Sequence, residues 1–303
     1  MINTKRIFTA LLFAIIAVAG YAYDFVVDGI YYNLDNDGNA VVTYGDKKYS
    51  GKIEIPNYVK IKGKQRTVVG IGKKAFQNCE DLTSVNEAYD VTYIDDYAFD
   101  KCHNLTYVNL PRVTSIGRYA FYNCKSLEPI YLPGKLKNIG ESAFGYCKSL
   151  ESIIIPSSVT EIGWYAFNKC TSMTDVYCQA VNVPITEKDI FDKTPIENMT
   201  LYVPSESMNA YNTTDPWSGF GNIKALTTGI EKTKIVEKPV ITTMDGQISV
   251  SGLSGNATVQ LVSLDGKLLD SENATDGIAT LKALPGEVVI VKVGKESFKV
   301  VVK

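Results

Sequence analysis

Apolar residues recur along the middle of the chain in one fixed phrase. It reads IGKKAFQNCEDLTSV from Ile71, IDDYAFDKCHNLTYV from Ile94, IGRYAFYNCKSLEPI from Ile116, IGESAFGYCKSLESI from Ile139 and IGWYAFNKCTSMTDV from Ile162, with first residues 23, 22, 23 and 23 positions apart. A unit this short cannot bury its own apolar side, so repetition at this period predicts a solenoid in which each coil packs on the next. Within the phrase two patterns alternate. In I-G-x-x-A-F-x-x-C the apolar residues fall at intervals of three to five, which suits a helical turn or tight arc with Ala and Phe inward. The following segment, as in Leu105–Leu110 or Leu150–Ile155, alternates with period two, which predicts a strand with one buried face. Pro111, Pro133 and Pro156 end three of these strands, because proline has no amide to give to a ladder. One strand per coil, stacked in parallel, is expected.

The fuller phrase, I-G-x-x-A-F-x-x-C-x-x-L-x-x-I-x-I-P, resembles the BspA-type subfamily of bacterial leucine-rich-repeat surface proteins. The resemblance extends beyond the repeats. Residues 23–70, with Asp28-Gly29-Ile30-Tyr31-Tyr32 and Ile53-Glu54-Ile55-Pro56, resemble that family's β-rich N-terminal cap. A degenerate sixth repeat follows around Ile190-Phe191, with Thr194 in place of cysteine and one extra residue before Leu201. Tyr211, Trp217 and Phe220 look like the closure of the solenoid. The resemblance implies a fold class of α/β leaning to mainly β, a right-handed solenoid over 71–204 with a parallel sheet, and a C-terminal cap over 205–226. It also implies adhesion to host matrix proteins, other cells or surface glycans.

Both ends of the chain read differently from the repeats. Lys5 and Arg6 precede an apolar run from Ile7 to Ala19, and Gly20-Tyr21-Ala22 offers small residues where a signal peptidase reads. The run is shorter than the roughly 20 residues of a membrane span, so residues 1–22 read as a cleaved secretory signal that leaves no transmembrane segment. Residues 227–238 are polar, lack aromatic residues and read as a linker. From 239 to 303, short β-segments are separated by Asp245-Gly246, Ser254-Gly255, Asp265-Gly266, Asp276-Gly277 and Pro285-Gly286, a pattern of small antiparallel sandwiches. The hairpin Leu264–Leu268 and the ending Val293–Lys303 are similar to sorting domains of the type IX secretion pathway. The Pro-Asn-Pro opening and the Gly-x-Tyr pattern of those domains are absent, so a plain spacer is the other reading.

Composition narrows the chemistry. At 303 residues and 45% hydrophobic, the chain is long enough for two or three domains and can bury a sizeable core, and a net charge of −2 without a Lys/Arg run excludes the basic face that nucleic acid requires. Cys79, Cys102, Cys124, Cys147 and Cys170 occupy one position in five repeats. Stacked coils place such residues about 4.8 Å apart with parallel Cβ vectors, too far for a disulfide, so a column of buried free thiols is expected. A column cannot converge on a metal, and no metal site or cofactor is expected. The single histidine, His103, sits at a variable position without an oriented nucleophile, and Asp35–Asn39 reads as a hairpin turn rather than half of a calcium loop. No catalytic constellation is found, so the chain reads as a binding or structural protein. Aligned strands put Ser84, Tyr107, Pro129, Ser152, Asp175 and Thr200 in one outward column, and Asn86, Asn109, Tyr131, Ile154, Tyr177 and Tyr202 in a second. Tyr107, Asn109, Tyr131, Ile154, Tyr177 and Tyr202 are the candidate ligand-binding residues, since tyrosine suits protein or sugar partners. Stabilisation of the exposed ladder itself is the alternative.

Overall fold

The computed structural model describes residues 22–86, 90–109, 112–130, 132–187, 189–226 and 240–302, apart from positions 245, 252, 254–256, 265, 276–278, 285 and 295 within the last segment. The expected leader (except Ala22), the linker at 227–238, Tyr131 and Pro111 lie outside the described residues. Residues 22–226 form a mainly β solenoid with, among the described residues, one α-helix, Met208–Thr213. Residues 240–302 form two antiparallel sheets of three and four strands around Ile248, Val250, Val259, Leu261, Leu281, Val289 and Val291.

Each coil of the solenoid presents two sides to its neighbours, where one strand had been expected. A two-residue strand ends on the first Ile of each repeat: Tyr93–Ile94, Ser115–Ile116, Asn138–Ile139 and Glu161–Ile162, then Ile185–Thr186 in the sixth coil. These pair in parallel and in register, Ile94 with Ile116, Ile139 and Ile162 in turn, and they join the cap strand Lys64–Ile71 in one ten-stranded sheet. The strand read from the sequence lies on the opposite side. It exists as Leu82–Asn86 and Tyr107–Val108, then as Ser152–Ile155, Asp175–Cys178, Thr200–Val203 and, beyond the expected end, Asn222–Ala225. Among the described residues the third coil has no strand there, so the ladder splits into a sheet of three, completed by the cap strand Gly51–Glu54, and a sheet of four. Pro129 stands at the ladder position and has no amide to donate, which accounts for the break.

Between the two strands the chain turns through the I-G-x-x-A-F-x-x-C arc. Two residues per arc take positive φ, for example Lys74 (61°) and Asn78 (57°), or Tyr119 (56°) and Asn123 (60°). None of these is glycine, so each costs about 1 kcal/mol or more. Backbone pairing offsets the strain. In the third arc the amides of Tyr119, Phe121 and Asn123 reach the carbonyls of Glu141, Ala143 and Gly145 in the next coil, each at 2.7 Å. The amides of Tyr122 and Cys124 instead fold back onto Tyr119 and Phe121 at 3.2 Å. Alternate donors thus serve the coil and its neighbour, and a buried turn is left with its amides paired.

Inside the arc, Phe76, Phe99, Phe121, Phe144 and Phe167 are fully buried and stack nearly parallel at 4.9, 5.0, 5.2 and 5.7 Å. All six cysteines are buried and free. The thiols of Cys102, Cys124, Cys147 and Cys170 each donate to the phenylalanine carbonyl of the preceding coil at 3.0–3.2 Å. Thr194, at the cysteine position of the sixth coil, donates its hydroxyl to Phe167 O at 2.6 Å and accepts from the Cys170 amide. The position therefore calls for a small side chain with one proton to give, and either group serves.

Both ends imitate a coil. Tyr49 of the cap packs on Phe76 at 4.7 Å, and Lys48 Nζ donates to Gln77 O at 2.7 Å, the carbonyl that a preceding arc would have met. At the far end Phe191 meets Trp217 and Phe220 edge-on at 5.7 and 5.2 Å, which terminates the stack. Cys178 lies beside the Tyr211 hydroxyl at 3.2 Å, and that hydroxyl donates to Ala180 O.

Candidate functional site: the two outer faces of the coils

Strand pairing confirms the two sequence-derived columns where it can be followed. Ser84 faces Tyr107, Ser152 faces Asp175, and Asp175 faces Thr200, while Ile154, Tyr177 and Tyr202 follow one another in the second column. The extra residue of the sixth repeat is absorbed in the 3₁₀ turn Ile196–Asn198, so Val176 still pairs with Leu201. Exposure departs from expectation. Tyr107, Asn109 and Ile154 are half-buried, but Tyr177 and Tyr202 are only 5% and 8% exposed. Their rings stack on each other at 4.7 Å, which shields one face of each. Ladder packing therefore takes up much of the surface these two tyrosines were expected to offer to a partner.

A second aromatic surface lies over the arcs, at the x positions of I-G-x-x-A-F-x-x-C. Tyr97 and Tyr119 stack at 5.0 Å, Tyr119 meets Tyr122 edge-on at 5.3 Å, and Tyr122 meets Tyr146 at 5.1 Å. Cations close the row at both ends. Lys74 Nζ sits 5.9 Å from the Tyr97 ring centre, and Lys169 Nζ lies 4.4 Å over the Tyr146 ring while donating to its hydroxyl at 2.6 Å. The Lys169 hydrogen bond holds the Tyr146 phenol below its ordinary value. Burial, then the neighbouring Tyr146, pushes Tyr122 up to about 12. Tyr119 donates to Glu141 Oε1 at 2.8 Å, and that bond to a carboxylate, followed by burial, raises its phenol. Trp164 and Tyr165 extend the surface into the fifth coil and are exposed. The period-two and core-spacing patterns missed this face. A signal was present, since Tyr-Ala-Phe recurs at Tyr97, Tyr119 and Tyr165.

The remaining sequence candidates sit apart from both faces. His103 lies 3.2 Å from Asn123 Nδ2 and 3.9 Å from Glu80. The Asp35 carboxylate is taken up by its own turn, accepting from the amides of Asp37 and Asn39 at 3.0 and 2.7 Å, as a hairpin turn requires. Among the described residues, no cluster of His, Cys, Asp and Glu could hold a metal ion, and no helix is long and apolar enough to cross a membrane.

Residues 69–198 match the model of the BspA type leucine rich repeat region in six copies. Among solved structures the chain is similar to a leucine rich repeat protein of T. pallidum, at 26% identity over 65% of this chain and 79% of that one, with a TM-score of 0.47. It is also similar to a leucine-rich repeat protein from Bacteroides ovatus (20% identity, 67% and 77% covered, TM-score 0.32). A leucine rich cell surface protein from Faecalibacterium prausnitzii matches at 16% identity (68% and 95% covered, TM-score 0.35). A search of curated proteins finds no match.

Proposed function

We propose that this chain, whose residues 69–198 are a BspA-type leucine-rich-repeat region, is a non-enzymatic binding protein, exported and displayed at or released from the cell surface, that adheres to a protein ligand along its coils. The row of tyrosines from Tyr97 to Tyr146, flanked by Trp164 and Tyr165, is the observation that carries this reading. Aromatic rings fixed on a rigid backbone offer apolar area and hydroxyls at low entropic cost, the combination that protein-binding surfaces use. The repeats supply spacing and rigidity. Host matrix proteins and the surfaces of other cells are the partners that suit an exported adhesin. The strand face, with Tyr107, Asn109, Tyr131, Ile154, Tyr177 and Tyr202, is the other surface on which such a ligand would lie. In this reading the C-terminal sandwich serves export or spacing.

Purified chain lacking residues 1–22 would be exposed to parallel panels of matrix proteins and glycans, beside two variants. One carries Tyr97→Ser, Tyr122→Ser and Tyr165→Ser on the arc face, and the other Tyr107→Ser and Ile154→Ser on the strand face. The expected result is protein binding that the arc variant loses by roughly tenfold or more while its melting temperature holds, as for loss of aromatic anchors. Binding lost only in the strand variant would move the site to the strand face, and binding to glycans alone would overturn the protein-ligand reading.

A further inference from the structure

At the corner where the short strands of the last coils turn into their arcs, Glu141, Glu161, Gly163, Trp164, Ile185 and Glu187 surround a cleft of about 210 Å³. Gly163, on its lining, lies against the backbone of the preceding coil, where a Cβ would come within 2.6 Å of the Glu141 amide nitrogen, so glycine lets the two coils meet closely there. Apolar side chains stand at it in the open: Trp164 is 54% exposed and Ile185 75%. Carboxylates supply the rest. Glu141 is held by the Tyr119 hydroxyl at 2.8 Å and has Arg118 at 4.0 Å. Neither Glu161 nor Glu187 has an ion-pair partner among the described residues; Lys188, beside Glu187, lies outside them.

We infer that this cleft is the subsite that takes a lysine or arginine side chain of a protein ligand, an inference that rests on the protein-binding reading of the arc face. Three features select a basic side chain. An exposed indole attracts a cation over its ring, and the Glu161 and Glu187 carboxylates, without an ion pair among the described residues, add charge-assisted hydrogen bonds. The volume suits one side-chain head group and falls below the roughly 300 Å³ at which pockets begin to hold drug-sized ligands, so a run of sugar rings would find no matching trough. A metal ion is the wrong cation, because the three carboxylates do not gather into a group that could ligate one. The cleft is continuous in sequence with the tyrosine row through Trp164-Tyr165, so a ligand lying along the arcs would reach it with its end.

Fluorescence tests this directly, because the chain has two tryptophans and the other, Trp217, is fully buried. Tetralysine and tetraarginine would be titrated into the chain lacking residues 1–22, with a neutral glycine-serine tetrapeptide and maltotetraose as controls. We expect a saturable change with the basic peptides only, weakened by added salt and absent in Trp164→Phe. The double variant Glu161→Gln and Glu187→Gln keeps shape and hydrogen-bonding capacity and removes charge. Its affinity for the basic peptides should fall by roughly tenfold, as expected when charge-assisted bonds become neutral ones. No saturable change with basic peptides, or full affinity in the double variant, overturns the inference. If the matrix-protein panel then still shows binding that depends on the tyrosine row, only the cleft assignment has failed; a response to maltotetraose alone would sink the protein-ligand reading with it.

Discussion

The arc side and the strand side of each coil are built from the same repeats, yet one ladder is continuous and the other is broken. Short strands beside the arcs pair without interruption from the cap to Ile185–Thr186, whereas the longer strands opposite stop at the third coil. The arc fixes register by several independent means at once: in-register short strands, alternate amides crossing to the next coil, a phenylalanine stack and a thiol-to-carbonyl hydrogen bond. The strand side is held by its backbone ladder and by buried aliphatic rows such as Val85, Val108, Ile153 and Val176, without the arc's phenylalanine stack or thiol-to-carbonyl bonds among the described residues. A proline can therefore be tolerated at position 129, where the same residue within an arc would remove a crossing amide. Redundancy on one side leaves the other free to vary.

Removing an arc member should have the largest effect. Phe121→Ala deletes a fully buried ring between Phe99 and Phe144, and a loss of about 3–5 kcal/mol is expected in denaturant unfolding. Ile130→Ala, in the same coil on the strand side, removes a half-buried side chain and should cost well under half as much. Equal losses would abolish the distinction.

Alkaline pH should act through the buried thiols, in the arc at Cys170 and on the strand side at Cys178. Burial pushes the Cys170 thiol up to about 12 and Cys178 up to about 11, from an ordinary value of 9.0. A folded-state value above the unfolded one means that the folded chain holds its protons longer. Stability is then complete below pH 9 and declines as pH rises towards 11–12. Melting temperature followed from pH 7 upwards should be level to about 9 and then fall. In the native protein at neutral pH the six thiols should resist a thiol reagent, and denaturant without reductant should release all six.

A smaller effect separates hydrogen bonding from volume within the column. Cys124→Ala removes one of two donors to the Phe99 carbonyl, which keeps the Cys102 amide at 3.1 Å, and should cost about 1 kcal/mol, whereas Cys124→Ser keeps both donors and should cost less. Thr194 performs the same service in the sixth coil. The smallest change is Pro129→Val, which returns an amide to the strand ladder and should stabilise by at most about 1 kcal/mol.

The sequence made the solenoid legible because its strongest constraints are buried and periodic. Ile, Ala, Phe and Cys recur at fixed offsets, and from them follow the coil and the free thiols. The second strand per coil was not legible, since two residues such as Asn138–Ile139 hold no period to read. The break at Pro129 could have been anticipated from the proline itself, yet the residues around it keep the repeat's spacing and mask the lost pairing. Candidate binding residues divided in the same way. Register along the strands was correct, but alternation predicts direction and says nothing of a neighbour's ring, so the mutual burial of Tyr177 and Tyr202 was invisible. The arc tyrosines lay in positions that vary between repeats, and their proximity depends on the positive φ of Tyr97, Tyr119 and Tyr146, which propensity does not assign to tyrosine.

Amide hydrogen exchange, resolved by residue, tests the asymmetry between the two sides most directly. The crossing amides of Phe99, Tyr119, Phe121, Asn123 and Phe144 should exchange only through global unfolding, at one shared free energy. The amides of Ile130 and Leu132, beside the break, should exchange much faster through local opening. Arc amides that open as readily as those two, or a third coil protected equally on both sides, would contradict the claim that the arc holds the register.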